Sequence, residues 1–201
     1  MTSPNSAPTV LLDLGAPAAA IVDLAAGLRD DQLAGPTPCA GMEVAGLVAH
    51  LVGLSVAFRD AAAKVDGPTT RTPPTAGPPV LPDDWRDQLP HRLEELAAAW
   101  RDPSAWQGMT VAGGVEMPAE VMGLVANNEL VLHGWDLAVA TGQPYKVAPP
   151  NLDASWQLVS GTPDDPAARE GLFGPVLPVP DNAPLLDRVL GGAGRNPRWS
   201  S

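Results

Sequence analysis

Glu129 and His133 stand four residues apart in the segment 118–142, PAEVMGLVANNELVLHGWDLAVATG. At that spacing a carboxylate and an imidazole lie one above the other on a single helix face. The segment is apolar almost all round, which marks a central, buried helix rather than a surface one. A buried carboxylate with no partner is too costly to persist. Two arrangements compensate it: a divalent metal ion, for which Glu and neutral His are good ligands, or a plain buried Glu–His hydrogen bond. Asp136 extends the same stripe, where it can fix a ligand imidazole, cap the helix end or form a salt bridge.

A third ligand has to come from the two other histidines, His50 and His91. His50 borders an apolar stripe beside Leu47 and Leu54. Its neighbours at i−4, i+3 and i+7 are Gly46, Gly53 and Ala57, small residues that leave a lane open beside the imidazole. Such a lane suits a ligand cavity, and equally the close packing of another helix or a satisfied core histidine. His91 pairs with Glu95 at the same i, i+4 spacing but lies opposite Leu89, Leu93, Leu96 and Trp100, on a face expected to be solvated. Ligands of type His, His, Glu leave coordination positions open, the mark of a catalytic rather than a structural zinc site; the same set can hold Fe(II). Cys39, held by Thr37-Pro38, either lines the pocket mouth or is an inert buried thiol.

The elements that must position these groups can be read from periodicity. A first helix is expected over Pro17–Arg29 and a second over Glu43–Val65, with Val44, Leu47, Val48, Leu51, Leu54 and Phe58 on one stripe. The Pro/Thr/Gly-rich linker 66–82 carries no structural expectation. A third helix spans Asp84–Trp100, a small hairpin turns around Gly113-Gly114, and the buried helix stops at Gly142. Two short helices are expected near 151–160 and 184–190, and residues 1–10 read as a loose start. The expectation is an all-α four-helix bundle with a long crossover linker. Residues 1–145 form the bundle, and 146–201 form a Pro-rich extension that packs on it without being a separate domain.

The 201 residues suffice for one hydrophobic core. A formal net charge of −11 argues against nucleic acid and anionic membrane partners. Apolar stretches look broken well before the ~18 residues of a membrane span. The first residues lack the cationic start of a secretory signal, and a single cysteine cannot make an internal disulfide. A cytoplasmic location is expected.

Thr37-Pro-Cys-Ala-Gly-Met-Glu-Val-Ala-Gly-Leu-Val-Ala-His50-Leu resembles the TPCxGWxVxxLxxHL stretch of the mycothiol-dependent maleylpyruvate isomerase family, metal-binding domain. Residues 129–144, ELVLHGWDLAVATGQP, resemble that family's ExxxHGWDLAxATGQP stretch, and the tail LFGPVLPVP (172–180) is similar to that of its short metal-binding members. The resemblance implies a DinB-like bundle, a metal held by His50, Glu129 and His133, and mycothiol as a low-molecular-weight thiol cosubstrate. This sequence departs from the pattern at Met42, where the motif has Trp, and at Gly46, where an acidic residue is expected. The family's isomerases also carry a second, C-terminal domain, which this short Pro-rich tail is not expected to match.

The leading expectation is a metal-binding enzyme, an isomerase or S-transferase, in which the metal activates a thiolate for addition to a small electrophilic substrate. Zinc is the first choice of ion, with Ni(II) and Fe(II) as alternatives. Asp136, Trp135, Gly46, Gly53, Ala57, Cys39 and Met42 are the residues expected around the site. The competing readings are a metal-dependent hydrolase and a non-catalytic metal or small-ligand binding protein; either is compatible with a homodimer.

Overall fold

The computed structural model describes residues 11–73 and 80–200. The expected loose start at 1–10 and the linker residues 74–79 lie outside it. Four long helices form the bundle: α1 (Gly15–Ala26), α2 (Val44–Ala62), α4 (Trp85–Ala99) and α5 (Ala119–Thr141). Between them lie a one-turn helix, α3 (Pro68–Arg71), and a hairpin of β1 (Met109–Ala112) and β2 (Val115–Pro118). Three shorter helices follow α5: α6 (Pro149–Gly161), α7 (Pro166–Arg169) and α8 (Leu185–Gly192). The fold is the expected all-α, DinB-like bundle with a small hairpin.

The apolar periodicities explain why these segments pack. The α2 stripe and the α4 stripe of Leu89, Leu93, Leu96 and Trp100 are buried together in one core with Leu130 and Leu137 of α5. The Trp100 indole donates to Phe58 O (3.0 Å), so the large ring is satisfied as well as buried. In the hairpin Ala112 faces Val115 across Gly113 and Gly114, whose φ of 58° and 80° suit a tight two-residue turn. α5 ends as expected at Gly142 (φ 69°), its N–H returned to α5 carbonyls.

Several local expectations are corrected. The first helix stops at Ala26, and the chain turns through a 3₁₀ segment at Asp30–Gln32. The linker is not bare: Pro68 opens α3, and Thr70 Oγ1 donates to Val65 O. The tail holds a third helix, α7, capped by the Asp165 carboxylate accepting from the amides of Ala167 and Ala168. By length and composition α2 could cross a membrane, against the sequence expectation, but more than half of it is buried inside the protein; a core helix of a globular bundle meets the same test.

After Gly142 the chain runs back along α5. The Tyr145 hydroxyl donates to Val131 O (2.8 Å) in the space left by Gly134, where a Cβ would lie 2.6 Å from that hydroxyl. The Asn151 amide then joins Asn127 of α5 to Asp13 O ahead of α1. A second apolar cluster of Leu132, Trp135, Val159, Val189, Leu190 and Ala193 covers the opposite side of α5 with α6 and α8.

Candidate functional site

The site forms where the second turn of α2 faces the middle of α5. Glu129 Oε2 lies 3.4 Å from His50 Nε2 and 3.2 Å from His133 Nε2. The two imidazole rings meet edge to face, 4.9 Å between centroids. All three potential ligand atoms fall within 4.8 Å of one another. A carboxylate between two imidazoles, drawn from two helices, is a donor set suited to zinc or a similar divalent ion. Glu129 keeps a fifth of its side chain accessible while His133 is nearly enclosed, so the group can be approached from the Glu129 and His50 side.

Behind His133 the polar stripe continues inward. His133 Nδ1 is 3.0 Å from Asp136 Oδ2, which orients the ring and leaves Nε2 facing Glu129. Asp136 is wholly buried, and its charge is met by Arg195, with Nη2 3.0 Å from Oδ2 and Nε 3.3 Å from Oδ1. Periodicity could not show Arg195: it follows α8, in the stretch Gly-Gly-Ala-Gly-Arg. Nothing in the sequence sets it apart from its neighbours Arg188 and Arg198.

Ionisation follows these contacts. Burial by itself would lower the His133 pKa, but hydrogen bonds to Asp136 and Glu129 outweigh it and raise the imidazole to about 9. Burial pushes Glu129 up, and its bonds to His133 and His50 more than reverse that, holding it well below the usual carboxylate range. Asp136 is likewise depressed, its burial offset by His133 and Arg195. Without an ion, the cluster is a closed network of alternating charges.

The remaining expected residues separate into groups. Cys39 sits in the loop closed by the Pro36–Glu43 bridge, with Thr37 Oγ1 donating to Met42 O and accepting from the Cys39 amide. Its Sγ reaches Arg195 Nη2 (3.9 Å) and approaches His133 and Asp136. Burial raises the Cys39 pKa, with Arg195 pulling the other way, so the thiol stays protonated. Met42 packs beside Gly46, where a Cβ would lie 3.2 Å from Met42 Cγ. Gly53 is exposed, with nothing within 4 Å of where its Cβ would be, and Ala57 is half-buried. Among the described residues no helix fills the lane at Gly53. Trp135 points elsewhere, into the second apolar cluster with Leu132 and Leu190. His91 pairs with Glu95 (3.2 Å) and is 71% exposed, as its solvated face required.

Residues 14–138, which hold all three candidate ligands, match the model of the mycothiol maleylpyruvate isomerase N-terminal domain. The chain belongs to that family. Two uncharacterized proteins of Mycobacterium tuberculosis, from strains CDC 1551 / Oshkosh and ATCC 25618 / H37Rv, are each 30% identical over 190 residues, covering 89% of this chain and 93% of theirs. The fold of this isomerase-family chain is also that of a mycothiol-dependent maleylpyruvate isomerase in two crystal structures, at 18% identity. A histidine-to-alanine mutant gives a TM-score of 0.64 over 91% of this chain and 87% of the isomerase. The second structure gives 0.62 over 92% and 88%. Such coverage cannot be reached by residues 1–145 alone, so much of the segment after residue 145 has a counterpart in the isomerase fold.

Proposed function

We propose that this protein is a metal-dependent thiol enzyme, an isomerase or S-transferase that uses mycothiol and a small electrophilic substrate. His50, Glu129 and His133 would hold the ion, zinc first, with Ni(II) or Fe(II) as alternatives. The reading rests on one observation above all: Nε2 of His50, from α2, and Nε2 of His133, from α5, both lie within 3.4 Å of the same Glu129 oxygen.

When bound, the ion would supply the Lewis acidity that makes a thiolate available at neutral pH. The chain's own residues do the rest. Asp136 holds His133 in the tautomer that points Nε2 at the site, and Arg195 keeps Asp136 ionised. Charge explains the preference for an anionic ligand. Protonated His133, Glu129, Asp136 and Arg195 together balance, whereas a divalent ion in place of the His133 proton leaves one positive charge. In a partly enclosed site that surplus favours a monoanion such as a thiolate. The space beside Gly53 on α2 would take the body of the thiol, while Met42 closes the lane at Gly46. The thiolate would add to an electron-poor C=C bond, whose π pair passes to the activating carbonyl as an enolate. Rotation about the resulting single bond and expulsion of the thiolate give isomerisation, and protonation of the enolate carbon with the thiol retained gives S-transfer.

A second reading, a non-catalytic binding protein, draws on the fact that the histidine–carboxylate cluster is already internally satisfied. Metal analysis of the purified protein followed by calorimetry with mycothiol separates the two. The thiol-enzyme reading expects close to one divalent ion per chain and heat of thiol binding that depends on it. No heat at millimolar thiol on the metal-loaded protein would sink it.

A further inference from the structure

We infer that Arg169 is a positioning residue for the site: its guanidinium holds the 192–195 segment so that Arg195 reaches Asp136. The inference rests on the functional reading above and concerns how the C-terminal segment is kept in register.

Arg169 ends the single turn of α7 and is only 3% exposed, rare burial for an arginine. Its hydrogen bonds go to main-chain carbonyls rather than to a carboxylate: Nε donates to Gly174 O (2.8 Å) and Nη2 donates to Gly192 O. Nη1 is buried without a hydrogen-bond partner among the described residues. Sequestering a cation on two carbonyls is a costly way to tie down a loop, so what the tie secures matters. Gly192 O is the last carbonyl of α8, three residues before Arg195.

Close backbone packing secures the same segment. Gly174 N donates to Ala193 O (3.3 Å). Gly194 adopts φ 82°, and a Cβ there would lie 2.7 Å from the Gly174 backbone. Arg195 N then donates to Leu190 O (2.8 Å), fixing where its side chain leaves the main chain. From that point Arg195 reaches inward to Asp136 and Cys39. The planar fork of Arg169 spans the two strands of chain, 174 and 192, that Gly194 lets come together. A lysine, with one point of donation, cannot span both carbonyls as well.

The test uses the full chain loaded with Co(II), whose visible spectrum reports inner-sphere anions, with azide as the probe. Arg195→Met should weaken azide binding at least tenfold, because it removes a unit of positive charge from the site. Arg169→Met and Gly194→Ala should each reproduce most of that loss, and Arg169→Lys should restore part of it. Adding Arg169→Met to Arg195→Met should cost nothing further, since both act through one group. Wild-type azide affinity in Arg169→Met, or losses that add in the double variant, would overturn the inference. A second readout needs no metal: the Arg195 Nε–H NMR signal should be protected in the wild type, lost in Arg169→Met and Gly194→Ala, and regained in Arg169→Lys. Failure of the wild type to take up Co(II) would count against the metal reading alone, leaving this signal to judge the clamp; an unchanged Arg195 signal in both variants would refute it.

Discussion

His133 is held between two carboxylates, and the sign of its titration follows. Its folded pKa of about 9 lies above the ~6.5 of a free imidazole. In the metal-free protein its contribution to stability is therefore fully present below about pH 6.5 and is lost as pH rises through about 9. Denaturant titrations of metal-free protein across pH 6–10 should show this decline, and His133→Gln should flatten it. Metal binding runs the other way, because the ion must displace that proton. Zinc affinity should climb with pH up to about 9; an affinity already level above pH 6.5 would show that His133 is not a ligand. His50→Ala and His133→Ala should each lose the ion in metal analysis, while His91→Ala, on its solvated face, should keep it. Should zinc be the ion, X-ray absorption should place nitrogen ligands at about 2.0–2.1 Å.

Among the helices, α2 and α5 do opposite things with glycine. Gly53 faces open space, so Gly53→Leu should be tolerated, and the gain in helix propensity should raise stability by up to about 1 kcal/mol. The same substitution should block the lane: calorimetry is expected to show thiol binding lost with metal content unchanged. Gly134 is the reverse case. A Cβ there strikes the Tyr145 ring, and Gly134→Ala should cost about 1–3 kcal/mol in urea denaturation. The contrast shows what a sequence displays and what it hides. The bundle helices were legible because their stripes repeat at the helical period, and Glu129 and His133 because helix residues four apart share a face. Convergence of His50 on that pair depends on how two helices pack, which periodicity only suggests. Arg195, Arg169 and the use of Gly134 by Tyr145 depend on loop paths after residue 142, where no period exists to read. The open side of Gly53 was ambiguous for a related reason: small residues serve a cavity and a tight helix crossing equally well. Trp135 misled because it neighbours His133 in sequence yet lies two residues further round the helix, facing α8 instead of the site.

Across the whole molecule, one buried ion pair fastens the C-terminal segment to the bundle. Asp136 is fully enclosed, so Arg195→Met leaves its carboxylate with His133 as its remaining ionic partner and should cost up to about 3–5 kcal/mol. Removing both charges with Asp136→Leu and Arg195→Met should restore much of that stability in denaturant titrations while the site's response to anions stays lost. Whether the segment after residue 145 unfolds with the bundle can be read from a feature with no part in the chemistry. The six tryptophans divide evenly. Trp85, Trp100 and Trp106 belong to the main core, and Trp135, Trp156 and Trp199 to the cluster under α6 and α8. Trp100 and Trp106 stack edge to face, 5.0 Å apart at 71°. Indoles that close couple their excited states, which gives the bundle its own near-ultraviolet circular dichroism signature. Trp156 lies under the Arg188 guanidinium (4.3 Å) and should dim or shift in emission when that cover is lifted. The protein thus carries two built-in optical gauges, one for each half of its interior. Coincident melting of the two signals would mark a single cooperative unit, and earlier loss of the Trp156 emission would mark a tail that lets go first.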